Sequence, residues 1–596
     1  MTPPEPQPVY FGAGLFGWLH RPGTEAAVDI GLVICNPFGF EEVCAHRSLR
    51  ELAIAAASAG FPTLRFDYAG CGNSAGDEFQ ADMLGRWQRS VHEAVEGLKQ
   101  ASGVRGVCLL GLRLGALLAT FAANERSDVA GLVLIAPVVR GRAYLRELTA
   151  LAQTGAGTPM DVAPDGPLES AGFLMSAETR DALARLDLQS LDRAPAARML
   201  IVERDDLPSA APWAAALEQL GAGVAVALWP GYSRMMDDPQ RAQVPQEIID
   251  GVTQQLSLWR GSVARVPTAN LEWGASSQQV AGNAATASQQ LCEMAVQVDS
   301  GQTKMFGVLT RSVADSRQRS PAVLMLSAGS VHAIGPNRLW VRLARRWAAR
   351  GMTVLRLDVS GIGDSPPRRS ADQNVVYSRY ALDDVAAGLR YLKNQPTVGE
   401  CHVVGLCSGA YHAFKAAVAG QAVASAVMIN PLTYFWQDGD RLSDVNEYEI
   451  FELTSKYSGK FFTAEPWHKL IRGELDLRLI LEVVLRRLWN VVASYVFELA
   501  RLLHLPLRND LASELATASR HGIALRFVFA AGAPGFALMR KQSGNAIARL
   551  QARKVATLDF VIDADHTFTH MRARERLVQV LERRMWTDHG VDEETA

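Results

Sequence analysis

Residues 401–417 read CHVVGLCSGAYHAFKAA. The first part of this stretch is apolar and has the character of a strand, whereas the second part has that of a helix. Gly405 and Gly409 stand two positions to either side of Cys407, and such glycines permit the sharp turn by which a strand passes directly into a helix. The stretch therefore predicts an elbow with Cys407 at its tip and Ser408 one position too far along.

The same pattern occurs a second time, earlier in the chain. Residues 106–123, GVCLLGLRLGALLATFAA, align with residues 400–417. Residues 60–76, GFPTLRFDYAGCGNSAG, align without a gap with residues 351–367, GMTVLRLDVSGIGDSPP. Two copies of one domain are therefore fused.

The length of 596 residues agrees with such a duplication, because one hydrophobic core does not organise so long a chain. Each copy alternates short apolar runs with amphipathic stretches, which predicts a mostly parallel sheet covered by helices on both faces. Residues 268–290 are rich in Ala, Ser, Gln and Asn without a clear period. We expect domains at 1–262 and 293–596, joined by a linker at 263–292, with a helical cap inserted in the second domain at about 440–515.

Composition and charge exclude several classes of function. The net charge of -2 gives no electrostatic reason to expect a nucleic acid partner. Seven cysteines occur without a CxxC pair, so no zinc site and no disulfide framework is predicted, and we expect neither a metal nor a cofactor. The turns GCGNSAG (70–76) and GIGDS (361–365) do not have the form of a nucleotide-binding loop. The N-terminal residues lack the pattern of a secretory signal, which predicts a reducing, cytoplasmic location.

Four motifs carry a resemblance to known proteins. The first copy contains GLRLGALLA (111–119) and APVVRGRAYL (136–145), and the second contains GLCSGA (405–410) and DADHTFT (563–569). Both copies resemble α/β-hydrolases of the serine-aminopeptidase-like branch, and more narrowly the exosortase-associated hydrolases, the first copy being similar to their second type and the second copy to their first. The resemblance implies two fused α/β-hydrolase domains with helical caps. It also implies acyl chemistry in a bacterial polysaccharide, lipid or secondary-metabolite pathway.

An α/β-hydrolase needs a nucleophile, an acid and a histidine in that chain order, and the first copy lacks two of the three. Its elbow carries Arg113, which is always protonated and cannot attack a carbonyl. Asp205 and Asp206 follow a late strand as candidate acids, but Ser233 stands where the histidine is expected. We expect a non-catalytic domain, in which Arg113 either binds an anion such as a carboxylate or phosphate or is a structural residue.

The second copy keeps a nucleophile and a base. Cys407 holds the elbow and His566 follows the last strand, while His570 lies one helical turn later and is expected past the site. Ala533 stands at the aligned acid position. A thiol is intrinsically nucleophilic, so a Cys-His pair without an acid is chemically sound. The motif also resembles, locally, that of the dienelactone hydrolases, which use cysteine at the elbow.

Other carboxylates are candidates for the catalytic acid. Asp563 and Asp565 neighbour His566, but adjacent side chains on an extended stretch point to opposite sides. Asp438 and Asp440 follow an earlier strand and are the remaining alternatives.

The oxyanion hole is expected to use backbone N–H groups. One belongs to Ser408, directly after the nucleophile. The other belongs to the loop SAGSVHAIG, with Gly329 as the prediction and Ala328 and Ser330 as alternatives.

The cap insert contains a helix-like stretch at residues 477–503 with polar residues every three or four positions. Three interpretations stay open: a helix packed into the protein, a lid over an acyl-chain pocket, or an interfacial helix peripheral to the inner membrane.

The sequence as a whole predicts a cysteine-dependent acyl hydrolase or acyltransferase that acts on an ester or thioester, free or carrier-bound, through an acyl-enzyme. The alternative is an inactive pair of hydrolase folds that binds or scaffolds other molecules.

Overall fold

The computed structural model of the protein describes residues 4–23, 28–154, 166–207, 211–260, 274–281, 290–313, 319–437, 440 and 509–586. These residues form two large sheets with helices on both faces, so the predicted fold class is confirmed. The predicted helix at 477–503 and most of the cap lie outside the described residues.

The first half contains ten strands within its described residues. They are β1 (Gln7–Phe11), β2 (Leu15–His20), β3 (Ile30–Cys35), β4 (Thr63–Phe66), β5 (Gly106–Leu112), β6 (Val129–Ile135), β7 (Leu168–Ser170), β8 (Phe173–Met175), β9 (Arg198–Val202) and β10 (Gly223–Ala227). Eight of them form one sheet in the order β1-β2-β4-β3-β5-β6-β9-β10, and β7 and β8 form a separate hairpin. Pairing is parallel from β4 to β10 and antiparallel at the β1-β2-β4 edge.

Helices cover both faces of this sheet. They are α1 (Phe40–Ser58), α2 (Met83–Ser102), α3 (Leu114–Asn124), α4 (Gly141–Thr154), α5 (Ala177–Ala184), α6 (Ala211–Gln219), α7 (Tyr232–Met235) and α8 (Gln246–Trp259). Alternation along β3 explains why both faces are apolar: Val33 packs in the core with α2 and α3, whereas Leu32 packs with α1 and α8.

The second half repeats this plan, with nine strands in its sheet instead of eight. Its strands are β11 (Ser277–Ala281), β12 (Gln290–Asp299), β13 (Lys304–Ser312), β14 (Ser320–Leu326), β15 (Thr353–Leu357), β16 (Val398–Leu406), β17 (Ser425–Ile429), β18 (Ala524–Ala530) and β19 (Ala556–Val561). Its helices are α9 (Leu339–Ala349), α10 (Ala381–Lys393), α11 (Ser408–Val418), α12 (Leu511–Arg520), α13 (Pro534–Ser543), α14 (Ala546–Ala552) and α15 (Met571–Trp586). The sheet order is β11-β12-β13-β15-β14-β16-β17-β18-β19, which reproduces the first sheet after β11.

Part of the predicted linker is a strand. β11 lies inside residues 263–292 and pairs antiparallel with β12, so the second sheet begins before residue 293. Just ahead of it, Ala275 exchanges two backbone hydrogen bonds with Tyr10 of β1, at 2.8 and 2.9 Å. An edge strand needs few apolar residues. Three of the five residues of β11 are Ser or Gln, and Val280 is buried in the core, which explains why the composition predicted a linker.

The halves meet through equivalent residues, in the manner of a two-fold dimer. Arg65 on β4 pairs with Asp364 of the second half. The aligned Arg356 on β15 donates to Asn73 Oδ1 of the first half at 2.7 Å. Asn73 and Asp364 are themselves aligned in the sequence repeat. Each half therefore sends the same arginine into the same turn of the other, as an isologous interface requires.

The glycine-rich turn at residues 70–76 is held by two arginines of the second half. Arg338 donates to the carbonyl of Ser74 at 2.6 Å, and Arg345 donates to the same carbonyl at 3.0 Å. Arg345 is also paired at 2.8 Å with Glu293, whose side chain is fully buried. Buried charges need such partners, so this glycine-rich turn serves as a contact between domains.

Among the helices that the structure describes, none is long and apolar enough to cross a membrane.

Candidate active site

The predicted elbow is present in both halves. Cys407 stands between β16 and α11 with φ 56° and ψ -113°, and Arg113 stands between β5 and α3 with φ 53° and ψ -117°. Such positive φ angles are strained for residues with a side chain and are typical of functional sites. A Cβ on Gly405 would lie 2.1 Å from the backbone of Gly409, so only glycine allows strand and helix to approach this closely.

The side chain of Ser408 points away from the tip. It is 1% exposed, and its hydroxyl oxygen accepts a hydrogen bond of 2.9 Å from the N–H of Gly329. Gly329 therefore cannot donate to a substrate oxygen without breaking this bond, and the prediction of Gly329 as an oxyanion donor is wrong for this conformation. Ala328 and Ser330 are the remaining alternatives, beside the N–H of Ser408 at the start of α11.

Cys407 faces a cavity of about 290 Å³ that lies between the two halves. His566 lines the same cavity, so the structure brings the two predicted residues to one site. The first half contributes much of the opposite wall, including Phe40, Val43, Leu151, Phe173, Asp238 and Gln240. The site is therefore composite, although its nucleophile and base come from the second half alone.

Burial keeps both candidate catalytic groups neutral. It raises the pKa of the Cys407 thiol to about 12, against the smaller effects of the Ser408 N–H and the Tyr377 hydroxyl, which favour the thiolate. Burial also lowers the pKa of His566 to about 4, with a weak opposing effect from Asp565. Within the described part of the chain, neither ring nitrogen of His566 has a hydrogen-bond partner. The two groups are thus a neutral thiol and a neutral imidazole that line one cavity, not a preformed ion pair.

The pairing of the strands places the missing acid at a different residue from the one that the sequence alignment gives. Val202 and Val528 pair with equivalent places on β6 and β17, so Asp205 of the first half corresponds to Ala531. The sequence alignment had pointed to Ala533, which instead precedes α13 as its N-cap. Neither residue carries a carboxylate, so the predicted loss of the acid stands.

The carboxylates next to His566 are engaged elsewhere. Asp565 accepts hydrogen bonds from the N–H of Thr569, at 2.6 Å, and from its hydroxyl, at 2.5 Å. Asp563 is exposed and pairs with Arg576 at 3.0 Å. Neither carboxylate orients the imidazole.

Backbone support for the histidine comes from a residue that the sequence did not single out. Asn430, at the end of β17, donates to the carbonyl of His566 at 2.7 Å. Asp440 is exposed and accepts from the N–H of Gln437 at 2.8 Å, while Asp438 lies outside the described residues. An asparagine after a strand gave no recognisable signal in the sequence.

The sequence predicted that His570 lies past the site, and this prediction is wrong. His570 lines the same cavity, with Nδ1 3.8 Å from Glu169 Oε2 of the first half. Glu169, on β7, also accepts from the N–H of Met571 at 2.7 Å and from Arg574 at 3.1 Å. A hairpin of the first half thereby caps the start of α15 beside the candidate base.

The elbow of the first half is filled by its own carboxylates. Arg113 is 4% exposed, donates from Nε to Glu41 at 2.7 Å and pairs with Glu147. Tyr144 also donates to Glu41, at 2.8 Å. Burial alone would lower the pKa of Arg113, but the two carboxylates raise it above its ordinary value. The predicted anion-binding role is therefore wrong, and Arg113 is the structural residue of the two alternatives.

The first half keeps a carboxylate at the acid position, but this carboxylate accepts hydrogen bonds from a serine instead of a histidine. Asp205 accepts from the N–H of Ser233 at 3.0 Å, from its hydroxyl, and from the N–H of Gly231 at 2.8 Å. Ser233 thus occupies the place of a histidine, as the sequence predicted.

Comparison with protein families matches each half to a hydrolase family. Residues 39–226 match the serine aminopeptidase S33 family, and residues 328–453 match the α/β-hydrolase-fold family. Comparison with curated proteins finds no match.

Solved structures with similarity to the chain include three hydrolases. Est1E from Butyrivibrio proteoclasticus is 17% identical, with 43% of this chain and 99% of that chain covered and a TM-score of 0.32. An α/β serine hydrolase without a lid from Xanthomonas campestris is 17% identical, with 44% and 98% covered and a TM-score of 0.29. A dienelactone hydrolase from Anabaena variabilis is 13% identical, with 50% and 98% covered and a TM-score of 0.30.

The two family matches fall on separate halves, and each half has the sheet order and the strained elbow of the fold. The chain is therefore a tandem α/β-hydrolase-fold protein.

Proposed function

We propose that the protein is an acyl hydrolase or acyltransferase that uses Cys407 as its nucleophile and His566 as its base. The observation that carries this proposal is the position of Cys407. Its thiol stands at the tip of a strained elbow and faces a cavity that His566 also lines. The hydrolase families matched by both halves support the general class of reaction.

The neutral state of both groups suggests general-base catalysis. A ring nitrogen of His566 takes the thiol proton as sulfur attacks the carbonyl carbon of an ester or thioester. The carbonyl oxygen becomes an oxyanion that accepts from the N–H of Ser408 and from one N–H of the loop after β14. Collapse expels the alcohol or thiol, which takes the proton from His566, and leaves an acyl-enzyme. Water or another acceptor then attacks the acyl group and returns the proton to sulfur.

Within the described ranges no carboxylate orients the imidazole of His566, and this arrangement suits a thiol better than a hydroxyl. A serine depends on a base held in one tautomer, whereas a thiol is intrinsically more reactive and needs less help. The hydrogen bond from Asn430 to the backbone of His566 fixes the loop that carries the base.

The apolar wall from the first half suggests the substrate class. Phe40, Val43 and Phe173 would contact the acyl group, while Gln240 lies close to Gly329 at the loop beside the nucleophile. An apolar acyl ester or thioester suits this wall. A carrier-bound substrate, a role in a polysaccharide, lipid or secondary-metabolite pathway, and a cytoplasmic or membrane-peripheral location remain part of the proposal.

A second candidate is an inactive pair of hydrolase folds that binds other molecules. It is favoured by one observation: no hydrogen bond joins Cys407 and His566 among the described residues, and the thiol is deeply buried.

An acylation experiment separates the two candidates. The full chain is incubated with a panel of acyl thioesters and p-nitrophenyl esters, and its intact mass is measured. We expect one acyl adduct, located at Cys407. Cys407→Ala should lower the rate of turnover by about 10³-fold or more and abolish the adduct.

Ser408→Ala is the matched control, because Ser408 adjoins the nucleophile but its hydroxyl is bound to Gly329. This variant should keep most of the activity. An adduct that survives Cys407→Ala, or one that Ser408→Ala abolishes, would overturn the assignment of the nucleophile. No adduct with any donor would leave the inactive pair as the better account.

A further inference from the structure

Three potential metal ligands meet at the interface between the halves, away from Cys407. Glu42 and His46 lie one turn apart on α1, so their side chains share a face of the helix. His332 reaches them from the loop that follows β14 of the second half. Two imidazoles and one carboxylate form a donor set that suits zinc and other divalent transition metals.

The distances between the donor atoms are those of a single ion site. Glu42 Oε1 lies 3.4 Å from His46 Nδ1 and 4.0 Å from His332 Nε2. One ligand atom from each of the three residues lies within 4.8 Å of the others. Ligand atoms bound at about 2.0–2.2 Å in a tetrahedral site stand roughly 3.3–3.6 Å apart, so only small side-chain movements are needed.

The surrounding residues complete the pattern of a metal centre. His46 Nε2, the nitrogen that does not face Glu42, lies 3.3 Å from Asp364 Oδ2 of the second half. A carboxylate behind a ligating histidine fixes the orientation of the ring and increases its basicity. Asp364 is itself held by Arg65, which prevents it from turning toward the ion. The rings of His46 and His332 stack with centroids 3.9 Å apart, so both are close to one ion position, and one ring must rotate out of the stack for both nitrogens to bind the same ion.

Two small cavities adjoin the site. Glu42 lines a small cavity of about 60 Å³, and His46 lines a second of about 20 Å³. These spaces are large enough for a water molecule to enter and complete a fourth coordination position.

We infer that Glu42, His46 and His332 bind one divalent transition-metal ion, with Zn²⁺ the best fit, across the interface of the two halves. The ion would tie α1 of the first half to the loop after β14. Residues 328–331 of that loop also line the cavity that Cys407 faces, so the ion would stiffen one side of the cavity from outside it. The inference does not depend on any activity at Cys407.

Metal binding is measured on full-length protein without an affinity tag. The protein is stripped with a chelator, desalted, and titrated with Zn²⁺ and with Co²⁺. We expect one ion per chain by elemental analysis after gel filtration, a Co²⁺ absorption band of a low-symmetry site, and a rise in Tm that grows with the concentration of free metal.

Glu42→Gln, His46→Gln and His332→Gln should each abolish stoichiometric binding. Asp364→Asn should keep the stoichiometry but weaken the affinity by about 10- to 100-fold, since it acts on the ion only through His46. His92→Gln is the matched control: His92 also pairs with a glutamate, Glu125 at 3.0 Å, but has no second histidine beside it. Circular dichroism and Tm in chelator show whether each variant is folded.

Two results would overturn the inference. One is wild-type protein that retains less than stoichiometric metal and whose Tm does not respond to Zn²⁺ or Co²⁺. The other is a folded His46→Gln or His332→Gln variant that binds the ion as tightly as the wild type, which would place the metal elsewhere.

Discussion

The two halves have the same backbone fold and differ in the residue at the tip of the elbow and in what surrounds its side chain. Arg113 and Cys407 have nearly the same φ and ψ, yet one side chain is closed in by carboxylates and the other faces a cavity. The strained elbow therefore belongs to the fold and not to the chemistry. A hydrolase elbow without a nucleophile is kept because the close approach of strand and helix depends on it.

The losses in the two halves are complementary. The first half keeps an acid, Asp205, but has Ser233 in place of a histidine. The second half keeps His566 but has Ala531 in place of the acid. Among the residues that the structure describes, neither half has a complete triad, and a thiol depends less on a complete triad than a hydroxyl does.

The largest effect that tests this comparison concerns the base. His566→Asn should lower the rate of acylation by about 100-fold or more, because it removes the proton acceptor. The burial-lowered pKa of about 4 leaves the imidazole unprotonated above that pH, so wild-type kcat/KM should fall as the pH drops through about 4. The pKa of about 12 for Cys407 predicts no second change until strongly alkaline pH.

His570→Asn is the control for this measurement, since His570 lines the same cavity. A greater loss of activity in His570→Asn than in His566→Asn would mean that His570 is the base and that the assignment to His566 is wrong. A pH profile that bends near 6 or 7 would mean that the base titrates at the ordinary pKa of an imidazole and that burial does not lower it.

The next effect concerns the closed elbow. Arg113→Ala should lower the free energy of unfolding by about 3 kcal/mol, because it leaves the half-buried Glu41 without its cation. Urea denaturation of the full chain measures this change. Catalysis at Cys407 should be unchanged while the protein is folded. A loss of activity at unaltered stability would mean that the first half takes part in the chemistry.

The smallest effect comes from restoring the missing acid. Ala531→Asp places a carboxylate where the first half has Asp205. We expect up to about a tenfold gain in kcat/KM, together with a rise in the apparent pKa of His566, since a nearby negative charge favours the imidazolium. Ala533→Asp is the matched control, two positions along. A gain in Ala533→Asp instead would favour the alignment from sequence over that from strand pairing.

The sequence predicted the parts of this molecule that are local or repeated. The duplication, the two sheets and the elbow at Cys407 all follow from short patterns. β11 was missed because an edge strand that is mostly Ser and Gln looks like a linker. The engagement of Gly329 with the Ser408 hydroxyl needs the exact packing of two loops, which no pattern encodes.

The composite features could not be predicted, because they join residues from the two halves. The i, i+4 spacing of Glu42 and His46 can be recognised in the sequence of α1, but no sequence pattern predicts that His332 contacts them. The wall that Phe173 and Gln240 add to the cavity of Cys407 has the same origin. Docking of two domains is set by surfaces that each appear ordinary alone.

The arginines that hold the turn at residues 70–76 have a consequence for synthesis. Arg338 lies 262 residues after Gly76, whose carbonyl it binds. At about 5–20 residues per second, the ribosome takes roughly 13–52 seconds to supply that partner. During this interval the first half exposes an apolar face, formed by Tyr10, Phe16 and Trp18, that later packs against Phe306. The nascent chain thus passes through an aggregation-prone intermediate. The yield of folded protein depends on how well that apolar face is shielded until translation ends.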